Sequence, residues 1–328
     1  MKKKSKHRFL KAAVGSIAVG TVVSAVPETL YRMILTRTGR TKADGIAQKL
    51  SAAKDKRSFD VVTDETSADV FVKADEWYDT PGIKRREIIR NVYGDPCSAF
   101  VFDGNGAKKW AIVCHGYSST PQSVDYVAEF YYKQGYNVLM PEMRGHGGSV
   151  QEEMSFGYLD SVDVCAWVNK LVVEDEDCEI LLHGLSMGAA TVLMASGSDL
   201  PANVKCVVSD CAFTRGDRQF KDVMGTGAVK ALYPLVDAVS LALKAHTGHS
   251  LREVDTLTAV ERANIPTLFI HGEKDTVVPP RRAQELYDAC KAEKEILIVP
   301  DAGHYEAGRV NYDLYFSTVK EFTERFIK

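Results

Sequence analysis

From Trp110 onward, short apolar runs alternate with longer segments whose apolar positions recur at helical spacing. The runs Trp110 to Cys114, Asn137 to Met140, Glu179 to Leu182, Val204 to Ser209, Thr267 to Ile270 and Glu295 to Val299 are too short for helices and read as buried strands. The intervening periodicity predicts helices near Gln122 to Gln134, Tyr158 to Val172, Met187 to Ser196, Arg281 to Ala292 and Tyr312 to Phe326. Such alternation predicts an α/β fold, a mostly parallel central sheet with helices on both faces. Upstream, Ile88 to Phe102 reads as a leading antiparallel hairpin turning at Gly94-Asp95-Pro96. One interval breaks the rhythm. Between Asp210 and Thr267 lie roughly fifty residues with helical patterning near Ala228 to Ala245, more chain than a crossover needs. The expectation is an inserted helical lid over about 212–262, above the carboxyl ends of the strands where open α/β sheets bind ligands. A long surface excursion is the plainer alternative.

The first residues follow another pattern. Lys2, Lys3, Lys4, Lys6, Arg8 and Lys11 precede an uncharged apolar stretch from Ala12 to Val26, the order of an export signal, with small residues at Val23-Ser24-Ala25 for cleavage. Uncleaved, the stretch is short for a span but could act as a membrane anchor with the rest of the chain facing outward; an ordinary helix is the alternative. The expected organisation is therefore a signal or anchor with its flank at 1–35, an extension at 36–85 and the main α/β domain at 86–328. The seven cysteines lack CxxC spacing and are odd in number, so they suggest neither a disulfide framework nor zinc, and they fit a reducing cytoplasm better than export. A net charge of −3 over 328 residues provides no basic field for nucleic acid.

The candidate chemistry is concentrated at strand ends. Gly184-Leu185-Ser186-Met187-Gly188 joins an apolar run to a helical one, the strand-turn-helix context of a GxSxG nucleophile elbow. A serine hydroxyl needs a base to take its proton and an acid to orient that base. Asp275 follows the run Thr267 to Ile270, and His304 follows Glu295 to Val299, which puts both on the same rim as Ser186. The expected catalytic residues are Ser186, Asp275 and His304. The oxyanion hole requires two backbone N–H groups, one from Met187 after the nucleophile and one from the His115-Gly116-Tyr117 loop, with Tyr117 as the donor.

Other residues carry weaker claims. Asp210 follows the run Val204 to Ser209 and is an alternative orienting carboxylate; His146 precedes the elbow in a glycine-rich turn and reads as structural, as do His115 and His183. His246 and His249 lack the further ligands a metal needs. Arg215, Arg218 and Phe220 face either substrate or solvent, and the run Phe130, Tyr131, Tyr132 with Tyr136 reads as helix packing on the sheet.

Taken together, the HGYSS loop, the PEMRGHGGS loop at 141–149, the GLSMG elbow, the HGEKDTVVP segment and the DAGH segment resemble the α/β-hydrolase superfamily from about Ile88 to the C-terminus. Within it they resemble the esterase, thioesterase and monoacylglycerol-lipase-like branch, also labelled serine aminopeptidase-like. The resemblance implies hydrolysis of an ester, thioester or amide of a small-molecule acyl substrate, with no metal or organic cofactor. It departs from proline iminopeptidases, which carry HGGPG and GGSWGS in the corresponding motifs. The rival readings are an acyltransferase that uses the same acyl-enzyme and a non-catalytic binding protein. The apolar content of Ala228 to Ala245 suggests an apolar acyl group.

Overall fold

The computed structural model describes residues 26–42, 74–103 and 106–328. Its centre is an eight-stranded sheet in the order β1-β2-β4-β3-β5-β6-β7-β8. The antiparallel pair β1 (Arg85–Arg90) and β2 (Pro96–Phe102) forms one edge, and β2 also runs antiparallel to β4 (Asn137–Pro141). From β4 onward every neighbour is parallel: β3 (Lys109–Cys114), β5 (Glu179–Leu185), β6 (Val204–Asp210), β7 (Thr267–Gly272) and β8 (Lys294–Val299).

Because successive side chains on a strand point to opposite faces, apolar strands of this kind feed two cores. Ala111 and Val113 of β3 pack on one side with helix Asp125–Lys133 and the C-terminal helix Tyr312–Thr323. Ile112 and Cys114 pack on the other with Tyr158–Glu174 and Met187–Ser196, where Trp167 is fully buried. Tyr131 on Asp125–Lys133 is buried against the sheet, as the aromatic run predicts. All seven cysteines are free thiols, six of them buried.

Strand β5 extends to Leu185, three residues beyond the apolar run, because His183 and Gly184 continue the ladder to β3 and β6 despite their polarity or lack of a side chain. The segment between β6 and β7 holds the helices Gly216–Met224, Tyr233–Thr247 and Thr256–Arg262, the last capped by the Asp255 carboxylate accepting from Thr258 N–H.

The export-signal stretch lies outside the described residues except for Val26, and among the described residues no helix is long and apolar enough to cross a membrane. The expected boundary at residue 35 falls inside packed structure. Residues 26–35 are helical, as are 37–42, with Tyr31 and Leu35 buried in the core. Arg37 donates to the carbonyls of Gly147 and Ser149, and Met154 N–H donates to the Leu35 carbonyl. The apolar spacing Leu30, Tyr31, Ile34, Leu35 is that of a helix with one buried face, a pattern overshadowed by the preceding signal-like run.

Candidate active site

Three loops at the carboxyl ends of parallel strands build the site. At the end of β5 the chain turns abruptly into helix Met187–Ser196, and Ser186 takes φ 54° and ψ −114°, a conformation that costs a non-glycine residue of order 1–3 kcal/mol. The flanking glycines make the turn feasible: a Cβ on Gly184 would collide with the Gly188 carbonyl, and one on Gly188 with the carbonyl oxygen of Cys114. Ser186 N–H is tied to the Asp210 carbonyl at 2.8 Å, which locks the elbow to β6.

Ser186 Oγ lies 2.9 Å from His304 Nε2, and His304 Nδ1 lies 2.7 Å from Asp275 Oδ2. The other Asp275 oxygen accepts from the N–H groups of Val277 and Val278, both at 2.8 Å. Burial alone would raise the Asp275 carboxyl, but His271, His304 and Val278 N–H outweigh it and hold the group well below the usual carboxylate range. Asp275 is thus a fixed anion that orients His304 through Nδ1–H and leaves Nε2 to face the serine. Asp210, the alternative carboxylate, accepts instead from Tyr315 OH at 3.1 Å, and burial pushes it up to about 6.

Tyr117 and Met187 border the same cavity as Ser186 and His304. Met187 is the first residue of its helix, so its N–H belongs to the turn that has no intrahelical acceptor. Two buried histidines hold the Tyr117 loop in place. His115 Nδ1 lies 2.9 Å from the Gly116 carbonyl while its Nε2 accepts from Met143 N–H at 3.2 Å. His146 reciprocates: Nδ1 lies 2.8 Å from the Arg144 carbonyl, and Nε2 accepts from Ser118 N–H at 3.0 Å. Each ring donates through Nδ1 and accepts through Nε2, so both must be neutral, and burial accordingly pushes His115 down to about 3 and His146 to about 4. The Gly145-bearing loop is in turn anchored by Arg144, buried and bidentate on Asp163 at 2.7 and 2.9 Å.

Two cavities meet at Ser186 and His304. The larger, about 620 Å³, is walled by Phe156, Phe213, Phe220, Val236 and Val239 among others. Phe220, whose direction the sequence left open, faces it; Arg215 is taken up by Asp217 at 2.5 Å. The smaller, about 330 Å³, is bordered by the polar residues Ser119, Ser123, Tyr305 and Arg309. Tyr305, which sequence reasoning passed over, accepts from Gly116 N–H through its hydroxyl at 3.2 Å and so braces the loop as well. Its position directly after His304 was the available signal. Among the described residues the one group of three potential metal ligands within reach of one another is Cys211, Asp275 and His304. That set suits a cation poorly: burial pushes the Cys211 thiol far up, so it stays protonated, and Asp275 and His304 are already committed to each other.

The sequence profile of the alpha/beta hydrolase family matches residues 111–312. The chain is 26% identical over 239 residues to the uncharacterized protein YqkD of Bacillus subtilis, covering 72% of this chain and 78% of that one. It is also 26% identical to the thermostable monoacylglycerol lipase of Bacillus sp. strain H-257, across 62% of this chain and 84% of the lipase. Among solved structures, the Pyrococcus furiosus esterase Pf2001 superposes with a TM-score of 0.61 at 26% identity, covering 75% of this chain and 92% of the esterase. The chain belongs to the alpha/beta hydrolase family and is a hydrolase with esterases among its structural relatives.

Proposed function

We propose that the protein is a serine esterase that cleaves an ester or thioester with an apolar acyl group by way of an acyl-enzyme. The observation that carries this reading is the continuous chain Asp275, His304, Ser186, with contacts of 2.7 and 2.9 Å, opening on an apolar cavity. His304 Nε2 takes the Ser186 proton as Oγ attacks the acyl carbonyl, and Asp275 stabilises the resulting imidazolium. The N–H groups of Tyr117 and Met187 receive the developing oxyanion at the positive end of helix Met187–Ser196. The acyl chain occupies the apolar cavity, and the leaving group departs through the smaller one after protonation by His304. Water then enters by the same path and attacks the acyl carbon as it gives a proton to His304; the acyl–Oγ bond breaks, His304 returns the proton to Ser186 Oγ, and the acid is released.

Substrate is thus a small acyl compound, with no cofactor in any step. The test is fluorophosphonate labelling and p-nitrophenyl ester turnover by the full chain and by Ser186→Ala. Turnover should fall by about 10³-fold or more in the variant, with labelling lost and thermal stability little changed. An active Ser186→Ala protein would sink the assignment.

A further inference from the structure

The helical segment at 26–42 does not belong to the sheet or to the β6–β7 excursion, yet it lines the apolar cavity. Leu30 and Ile34, four residues apart and therefore on one helix face, line that cavity together with the excursion residues Val236 and Val239. Three clasps hold the segment there. Toward the excursion, Tyr31 stacks on His246 with ring centroids 4.5 Å apart, and His246 Nε2 lies 3.1 Å from a Glu28 carboxylate oxygen. Toward the 141–153 loop, Arg37 and the Thr36–Glu153 bridge fix its far end. Toward the site itself, Tyr117 OH donates to the Ile34 carbonyl at 2.6 Å, so the residue expected to supply an oxyanion N–H is tied to the segment by its own side chain.

We propose that this segment is a specificity-determining strap: Leu30 and Ile34 form the wall against which the acyl chain of the substrate lies, and they set the chain length the enzyme prefers. The proposal rests on the ester-hydrolase reading above. A wall in apolar contact with the chain contributes to transition-state binding for every methylene it covers, and nothing for an acetyl group that does not reach it. Both side chains are only partly buried by the protein, which leaves apolar surface turned to the cavity.

The experiment compares kcat/KM across p-nitrophenyl acetate, octanoate and dodecanoate for the full chain, Ile34→Trp and Leu30→Ala. With an indole filling the cavity, the octanoate-to-acetate ratio of Ile34→Trp should fall by about tenfold or more, the loss expected when two or three methylenes are no longer covered. Enlarging the cavity in Leu30→Ala should raise the dodecanoate-to-octanoate ratio by about threefold or more. Ratios within about twofold of the parent in Leu30→Ala and in a labelled Ile34→Trp overturn the strap's role; should Ile34→Trp fail to label with fluorophosphonate, the Leu30→Ala ratio decides alone. A parent chain with no Ser186-dependent turnover at all overturns the hydrolase reading instead, a result that unchanged ratios in an active enzyme cannot mimic.

Discussion

Replacing His146 by alanine should destabilise the protein strongly at neutral pH and much less in mild acid. At pH 7 the ring bridges Arg144 carbonyl and Ser118 N–H inside the protein. Alanine strands both partners, and a buried donor left without an acceptor costs about 1–3 kcal/mol, so a total near 3 kcal/mol is expected. The ring also makes the parent acid-sensitive. Its ordinary value is 6.5 and its native value about 4, so below pH 6.5 the unfolded chain takes up a proton that the native ring refuses. Stability through this group is therefore full above 6.5 and declines as pH falls toward 4. Between pH 7 and 5 the parent loses roughly 2 kcal/mol by this route, and the variant, having no ring, loses none of it. The gap between the two should narrow from about 3 to about 1 kcal/mol, read from urea unfolding at pH 7, 6 and 5. Parallel pH profiles for parent and His146→Ala would show that the ring is not held neutral, and the reciprocal-histidine account of the Tyr117 loop would fail with it. Turnover of the folded variant should also drop, since Ser118 N–H would no longer fix the loop.

Two further outcomes follow from neighbouring contacts. Asp275→Asn should lower kcat by about 10⁴-fold with binding of substrate little altered, because the amide cannot hold His304 in the tautomer that presents a basic Nε2; steady-state kinetics on a short ester would check this, and a variant within tenfold of the parent would refute it. Asp163→Ala should cost about 3–5 kcal/mol in urea unfolding, because it deserts the buried Arg144 guanidinium; the partly exposed Asp95 at 2.9 Å argues for the lower end, and a loss below 1 kcal/mol would mean that Arg144 relaxes into solvent.

What could be read from the sequence was whatever is encoded locally. The central strands are near-continuous apolar runs, and Gly184 and Gly188 are dictated by steric contacts that the GxSxG spacing already expresses. Asp275 and His304 were legible because each immediately follows such a strand, and parallel strands bring their carboxyl ends to one rim. The pairings that hold the loops were not legible. His115 with Met143, His146 with Ser118 and Tyr305 with Gly116 join residues 28, 28 and 189 positions apart, and no periodicity reports on them.

The strap was missed for a different reason. A charged cluster followed by an apolar run is read from its beginning, and the residues after it inherit the reading as a flank. Physically, Leu30 to Leu35 satisfy another rule: an amphipathic turn whose inward-facing apolar side chains lie at i, i+1, i+4 and i+5. The same helix can follow an export signal or an anchor and still pack with the rest of the protein, since Tyr31 and Leu35 are buried in the core while Leu30 and Ile34 on the same apolar face line the cavity. Removing residues 1–35 as a presumed leader would therefore delete Tyr31 and Leu35 from the core and Leu30 and Ile34 from the cavity wall. Loss of activity in such a truncation would report damage to the binding site, and says nothing against Ser186.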